Sequence, residues 1–214
     1  MNIGIIGSGA LGANVARALA RKGLSATIAN QRGPASLAAL VEELGPTIKA
    51  GTVAQAAAAD IVLVAVRWVD LGRALGGLPA WNGRIVIDGT NPVEFLDPDS
   101  PDAKDPSNPL AAYGIKAIDL QGRYSSEVFR EFVPGARVVK ALNHLDVKVL
   151  TQPEVSGGQR VQFYSGDDAE AKAEVRKILE AIGHFAVDLG SLAVGGRLAE
   201  LPFGPLAATN FIKI

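Results

Sequence analysis

One stretch near the start of the chain, N-I-G-I-I-G-S-G-A-L-G over residues 2–12, limits the possible folds more than any other feature. Residues 2–7 form a short apolar run, and residues 10–23 place Leu11, Val15, Ala18 and Leu19 at helical spacing. The sequence therefore predicts a strand, a tight turn and a helix in immediate succession, with Gly23 closing the helix. Gly7, Gly9 and Gly12 punctuate the turn as G-x-G-x-x-G. Each glycine has a task there: the first permits the tight turn, the second lets backbone approach a pyrophosphate, and the third allows close helix–strand contact. The helix beginning at Ala10 would offer free N–H groups and the positive end of its dipole to the phosphates. A glycine turn that binds nothing is the alternative, and the flanking elements disfavour it.

Beyond this unit, short apolar runs alternate with Ala- and Leu-rich helical stretches, the pattern of βαβ units around a parallel sheet. Strands are expected at 25–30, 47–50, 60–66, 83–93, 115–120, 136–142, 160–166 and 184–190. Helices are expected at 34–45, 52–59, 69–76, 125–133 and 168–183, with Pro34 in a first turn, Ser125 or Ser126 as an N-cap, and Asp168 and Gly183 framing the last. The unbroken D-I-V-L-V-A-V predicts a central strand buried on both faces. Residues 94–114, rich in Pro and Asp and without periodicity, read either as a surface insertion or as a lid at the carboxyl end of a central strand. The fold class is α/β: a doubly wound, mostly parallel sheet over residues 1–150, with a small C-terminal α/β extension over 151–214.

A chain of 214 residues can bury a full core, and 48% hydrophobic with 20% charged residues is an ordinary balance. The net charge of −1 gives no reason to expect a nucleic acid or an anionic membrane as partner. There are no cysteines, which excludes disulfides, thiolate metal sites and cysteine nucleophiles. The two histidines, His144 and His184, lack paired ligand spacing, so no metal is expected. With a strand already at residues 1–6 and no apolar run near the ~18–20 residues needed to cross a bilayer, neither a signal peptide nor a membrane span is expected. The expected location is the cytoplasm.

The residues after the second strand, A-N-Q-R-G-P, name the cofactor. Asn30 lies 18 residues beyond Gly12, close to the ~20 at which many dinucleotide sites place an acid on the adenosine ribose. A carboxylate there would repel a 2′-phosphate. Asn30 and Gln31 instead offer amide donors, Arg32 offers a guanidinium fork suited to phosphate oxygens, and Gly33 opens the following helix. The corner predicts NADP(H) rather than NAD, unless Arg32 is only a solvated loop residue.

In order, I-G-I-I-G-S-G-A-L-G-A-N-V-A-R-A-L-A, A-N-Q-R-G-P-A-S-L-A-A-L, I-V-L-V-A-V-R-W, D-G-T-N-P, F-V-P-G-A-R-V-V-K-A-L-N and G-R-L-A-E-L span nearly the whole chain. Together they resemble the NADP oxidoreductases that use a deazaflavin coenzyme. The same module occurs in six-transmembrane metalloreductases. The resemblance implies a Rossmann domain, a homodimer, and hydride exchange between NADP(H) and a flavin or deazaflavin. By position it implies that Ser8, Gly9, Ala10 and Leu11 touch the pyrophosphate and that Gln31 and Arg32 hold the 2′-phosphate. It also implies that Val66, Arg67 and Trp68 pass the nicotinamide half, with Asn91, Pro92 and Ala141 beside them. The chain departs from the family at Arg67, where a proline is usual, and in the acidic segment 94–114.

Hydride transfer needs stacking and orientation more than acid–base groups, which suits a chain with no evident catalytic constellation. Asn143 and His144 are the catalytic candidates, His144 as proton donor if the acceptor is a small carbonyl or imine, though a structural loop role is the alternative. Trp68 would either stack on a ring or anchor a helix. Lys140 is expected to snorkel, and Arg197 either to pair with Glu200 or to meet an anionic substrate group. Two functions follow: an NADPH-dependent reductase of a small molecule, or a non-catalytic NADPH-binding redox sensor or regulator.

Overall fold

A computed structural model describes residues 2–155 and 157–214. Strands β1 (Ile3–Ile6), β2 (Ala26–Ala29), β3 (Ile48–Gly51), β4 (Ile61–Val64) and β5 (Ile85–Asp88) are joined through helices α1 (Ala10–Arg21), α2 (Ala38–Leu44), α3 (Val53–Ala57) and α4 (Leu71–Leu75). A short hairpin follows, β6 (Val93–Phe95) with β7 (Ile115–Ala117), and then α5 (Ser125–Phe132) and β8 (Arg137–Ala141). The remainder comprises α6 (Val147–Leu150), β9 (Glu154–Val155), β10 (Gly158–Gly166), α7 (Ala169–Ala181), β11 (Phe185–Asp188) and β12 (Ile212–Lys213).

The main sheet runs β11-β10-β8-β5-β4-β1-β2-β3. All neighbours from β8 to β3 are parallel, whereas β10 runs antiparallel to β8 and β11 parallel to β10. This is the expected doubly wound Rossmann-type sheet. Alternation along the strands builds a core on each face. Ile3 and Ile5 of β1, Ile61 and Leu63 of β4, and Ile85 and Ile87 of β5 pack with Val15 and Leu19 of α1 and Val175 and Leu179 of α7. Ile6, Val62, Val64 and Val86 face the other way, onto Ala56 and Ala57 of α3, Leu71 and Leu75 of α4, and Phe129 of α5. Burial on both faces is why β1 and β4 read as continuous apolar runs.

Four expectations are corrected. Residues 83–93 are not one strand: the main-sheet strand ends at Asp88, and Val93 begins the hairpin. The strand expected at 115–120 does not extend the main sheet; Ile115–Ala117 pairs antiparallel with Val93–Phe95 in a separate two-stranded sheet. Neither Ser125 nor Ser126 caps α5. Its N-cap is Tyr124, and Glu200 supplies the acceptor instead, taking the Ser125 N–H at 3.2 Å and its hydroxyl. Lys140 does not snorkel. It is 2% exposed, with Nζ 3.0 Å from Asp88 Oδ2 and 3.0 Å from the Thr90 carbonyl oxygen. The two residues stand opposite each other in the β5–β8 register.

Candidate functional site: a cationic dinucleotide cleft

The three glycines of the first turn are held for three different reasons. Gly7 has φ +113°, and a Cβ on it would lie 2.2 Å from the Ala65 carbonyl oxygen. A Cβ on Gly12 would lie 1.9 Å from the Gly7 carbonyl oxygen. A Cβ on Gly9 would meet nothing within 4 Å. The first and third positions are therefore closed by the fold, while the second faces open space where a phosphate could rest. Helix α1 starts there with Gly9 as N-cap, no side-chain cap and no acid in its first turn. Its leading N–H groups have no side-chain acceptor, an arrangement suited to pyrophosphate.

A cleft of about 510 Å³ opens above this turn. It gathers Gly7, Ser8 and Gly9 with Asn30, Gln31 and Arg32 from the end of β2, and Val66 and Arg67 from the end of β4. Asn30 is a latch inside its wall: Nδ2 donates to Ser8 Oγ at 2.9 Å, and Oδ1 accepts the Arg32 N–H at 2.9 Å and the Ser36 hydroxyl at 3.1 Å. Gln31 Nε2 donates across the cleft to the Arg73 carbonyl oxygen at 3.2 Å. Both amides expected to meet phosphate thus have protein partners and shape the rim. Arg32 differs, being exposed and free of any carboxylate partner among the described residues. A fixed loop ending in an unneutralised guanidinium fits a 2′-phosphate, so the residues present suit NADP(H).

The remaining expected positions spread around this cleft. Ala10, Leu11 and Gly12 run into α1, and Leu11 leans toward Gly89 at the end of β5. Gly33, at φ +87°, opens the turn Pro34–Leu37. Trp68 is 8% exposed within the core beside Leu71 and Ala74, so of its two expected roles the structure shows the anchor. Sequence reading missed Asp70 and Arg73, which also line the cleft and pair at 2.7 Å. The signal was available, since both lie within the connection that leaves the carboxyl end of a central strand.

At the neighbouring strand ends, Asn91 and Asn143 clasp each other. Asn91 Nδ2 donates to the Asn143 carbonyl oxygen at 2.7 Å, and Asn143 Nδ2 to Asn91 Oδ1 at 3.1 Å. The pair also holds the C-terminal segment through the Ala199 carbonyl oxygen at 3.2 Å and the Leu201 N–H at 3.1 Å. Ala141 is fully buried beside the clasp, and the Pro92 carbonyl oxygen accepts the Ile118 N–H at 2.9 Å. His144 has no exposed surface; its Nδ1 faces Gln162 Nε2 at 3.1 Å, while Nε2 lacks a partner among the described residues. Burial, helped by the charge of His184, lowers its pKa to about 4. Its imidazole is neutral at pH 7 and so has no imidazolium proton to give an acceptor. Glu200 turns to Ser125, and Arg197 makes no ion pair among the described residues.

Among the described residues no group of three metal-ligating side chains gathers, and no helix is long and apolar enough to cross a membrane. The model of the family described as NADP oxidoreductase, coenzyme F420-dependent, matches residues 2–92. A solved structure of a hypothetical protein from Sinorhizobium meliloti is 36% identical and covers 100% of this chain and 97% of its own, with a TM-score of 0.86. A candidate F420-dependent NADP-reductase from Arthrobacter sp. FB24 is 26% identical over 90% of this chain and 86% of its own, with a TM-score of 0.70. Among curated proteins, metalloreductase STEAP3 of Rattus norvegicus is 27% identical over 202 residues, 94% of this chain; the chain spans 36% of that protein's length. The glycine turn, the acid-free ribose corner and these likenesses converge: the chain has the Rossmann fold of these proteins, and its nucleotide-binding part, residues 2–92, matches the NADP oxidoreductase, coenzyme F420-dependent, family.

Proposed function

We propose that this protein takes hydride from NADPH to a flavin-like ring, or another small acceptor, at the strand ends of β5 and β8. One observation carries the cofactor half of this reading: the corner after β2 is free of acid and ends in unpaired Arg32. When bound, NADPH supplies the hydride from its nicotinamide ring. The chain's own residues bind and orient. The glycine turn and the start of α1 hold the pyrophosphate, the Asn30 latch fixes the loop, and Arg32 reads the 2′-phosphate. Val66 flanks the nicotinamide half, and the segment clasped by Asn91 and Asn143 shields the edge from water.

The acceptor half rests on an acid–base argument. His144 is sealed and neutral, and Lys140 is committed to Asp88. An acceptor whose own ring nitrogen exchanges protons with water needs neither, which favours a flavin-like ring over a carbonyl or imine. Residues 151–214 then extend the 1–150 nucleotide unit on the acceptor side. The family resemblance adds a cytoplasmic homodimer, which sedimentation of the purified protein tests.

The test of function is NADPH and NADH oxidation by the full chain with a flavin, a deazaflavin, a ketone and a cyclic imine in turn. The expected result is turnover with a flavin-like acceptor and preference for NADPH. Arg32→Ala should lower kcat/KM for NADPH by tens-fold and hardly change it for NADH; equal losses for both would remove the assignment of the corner. Tight NADPH binding without turnover of any acceptor would instead indicate a sensor.

A further inference from the structure

Arg67 is expected from the resemblance only to pass the nicotinamide half, and its surroundings define a more specific task. It lies three residues past the end of β4 and two past Ala65, whose carbonyl oxygen lies against Gly7. It lines the same cleft as Gly7, Ser8 and Gly9, with its guanidinium exposed. The nearest acid in that wall, Asp70, pairs with Arg73, and no carboxylate among the described residues pairs with Arg67. The guanidinium rests over the ring of Phe95, 5.5 Å from its centroid, and that ring is itself 57% exposed on β6.

The glycine turn reads S-G-A-L between its first and last glycines and carries no cation. The end of α1 contributes only about half an elementary charge, against the two negative charges of a pyrophosphate. Of the guanidinium groups that line the cleft, Arg32 belongs to the corner after β2 and Arg73 pairs with Asp70, which leaves Arg67 as the free charge available to the pyrophosphate. An exposed cation–π contact is a weak tie, and a charge-assisted hydrogen bond to phosphate is stronger, so exchanging the ring for the phosphate is favourable. We propose that Arg67 clamps the pyrophosphate of the bound dinucleotide from the side opposite the glycine turn and rests on Phe95 while the cleft is open. The clamp depends on the cofactor reading above. It belongs to this chain rather than to the family pattern, in which a proline is usual at this position.

The clamp and the 2′-phosphate grip are separable, because pyrophosphate is common to both dinucleotides and the 2′-phosphate is not. Full-length wild type, Arg67→Ala, Arg67→Lys and Arg32→Ala should be titrated calorimetrically with NADPH, NADH and adenosine 2′-monophosphate. Arg67→Ala should weaken NADPH and NADH alike, on the order of tenfold or more, and leave adenosine 2′-monophosphate unchanged. Arg67→Lys should recover part of the loss, and Arg32→Ala should show the converse pattern. Wild-type affinity of Arg67→Ala for both dinucleotides overturns the clamp, including when an acceptor's KM rises instead, which would give the guanidinium to the acceptor. Loss for NADPH alone also overturns it. Failure of the wild type to bind either dinucleotide overturns the cofactor reading, and the clamp with it.

Discussion

Lys140 shares a strand face with Val138, on the side of the sheet where Val86 packs into the core. A charge there is sustainable only with a partner. Asp88 provides one with no exposed surface of its own, its other oxygen accepting the Thr90 N–H at 2.9 Å and hydroxyl at 2.6 Å. Removing one member of such a pair leaves a buried charge unpaired, whereas removing both need not destabilise. Lys140→Met should therefore cost about 3–5 kcal/mol in urea unfolding. Asp88→Leu with Lys140→Met should recover most of that loss. Equal damage in the single and double variants would show that packing, not charge, sets the cost. The sequence conceals this pair because its members lie 52 residues apart and strand periodicity registers each only as an interruption.

Elements buried on both faces were legible because their pattern is local. β1, β2 and β4 appear close to their expected positions, and the glycine turn was readable because each glycine answers a constraint within its own turn. The β6–β7 hairpin was not. Its strands are three residues each, with mixed exposure, too short for alternation to emerge, and pairing across the intervening loop leaves no local trace. The same limit hid the clasp. Asn91 and Asn143 could be marked as lying at strand ends, but their partners at Ala199 and Leu201 come from the far end of the chain. As an element-level device the clasp holds segment 199–201 onto the sheet edge. Asn143→Ala removes two of its hydrogen bonds and leaves the Ala199 carbonyl oxygen without that donor, at about 1–3 kcal/mol. Native-state amide exchange should then quicken around residues 199–208 while β1 and β4 keep their protection. A uniform change across the sheet would show that the asparagines stabilise the whole fold rather than this segment.

At the scale of the molecule, the C-terminal third closes over two buried imidazoles. The His144 ring lies 4.8 Å from that of Phe163, which meets Phe211 edge-on at 6.0 Å, and the His144 carbonyl oxygen accepts the Ala208 N–H at 2.8 Å. Arg160, buried nearby in the chain, binds Asn210 Oδ1 and the Gln152 carbonyl oxygen, each at 2.6 Å. His184 is also buried, and burial lowers its pKa to about 4, against the upward pull of carbonyl oxygens at Arg160 and Leu150 and with a small downward push from the Arg160 charge. His144 Nε2 and His184 Nδ1 have no hydrogen-bond partner among the described residues, so a proton arriving at either would be poorly received. The unfolded chain takes up protons near pH 6.5 and the folded chain only near 4. Between these values the unfolded state binds more protons, so stability rises with pH across that window and is fully present above about 6.5. Each imidazole contributes up to about 3 kcal/mol, and because the two interact the contributions are not simply additive. The exposed carboxyl of Glu43 is held below the usual carboxylate range, mainly by its hydrogen bond from Arg17. Urea unfolding at pH 7.5, 6, 5 and 4.5 should show stability level at the top and falling steeply below about pH 6. The His144→Gln, His184→Gln double variant, whose side chains do not titrate, should flatten that slope even where its stability at pH 7.5 is lower. A slope unchanged by the double variant would place the acid sensitivity elsewhere in the molecule.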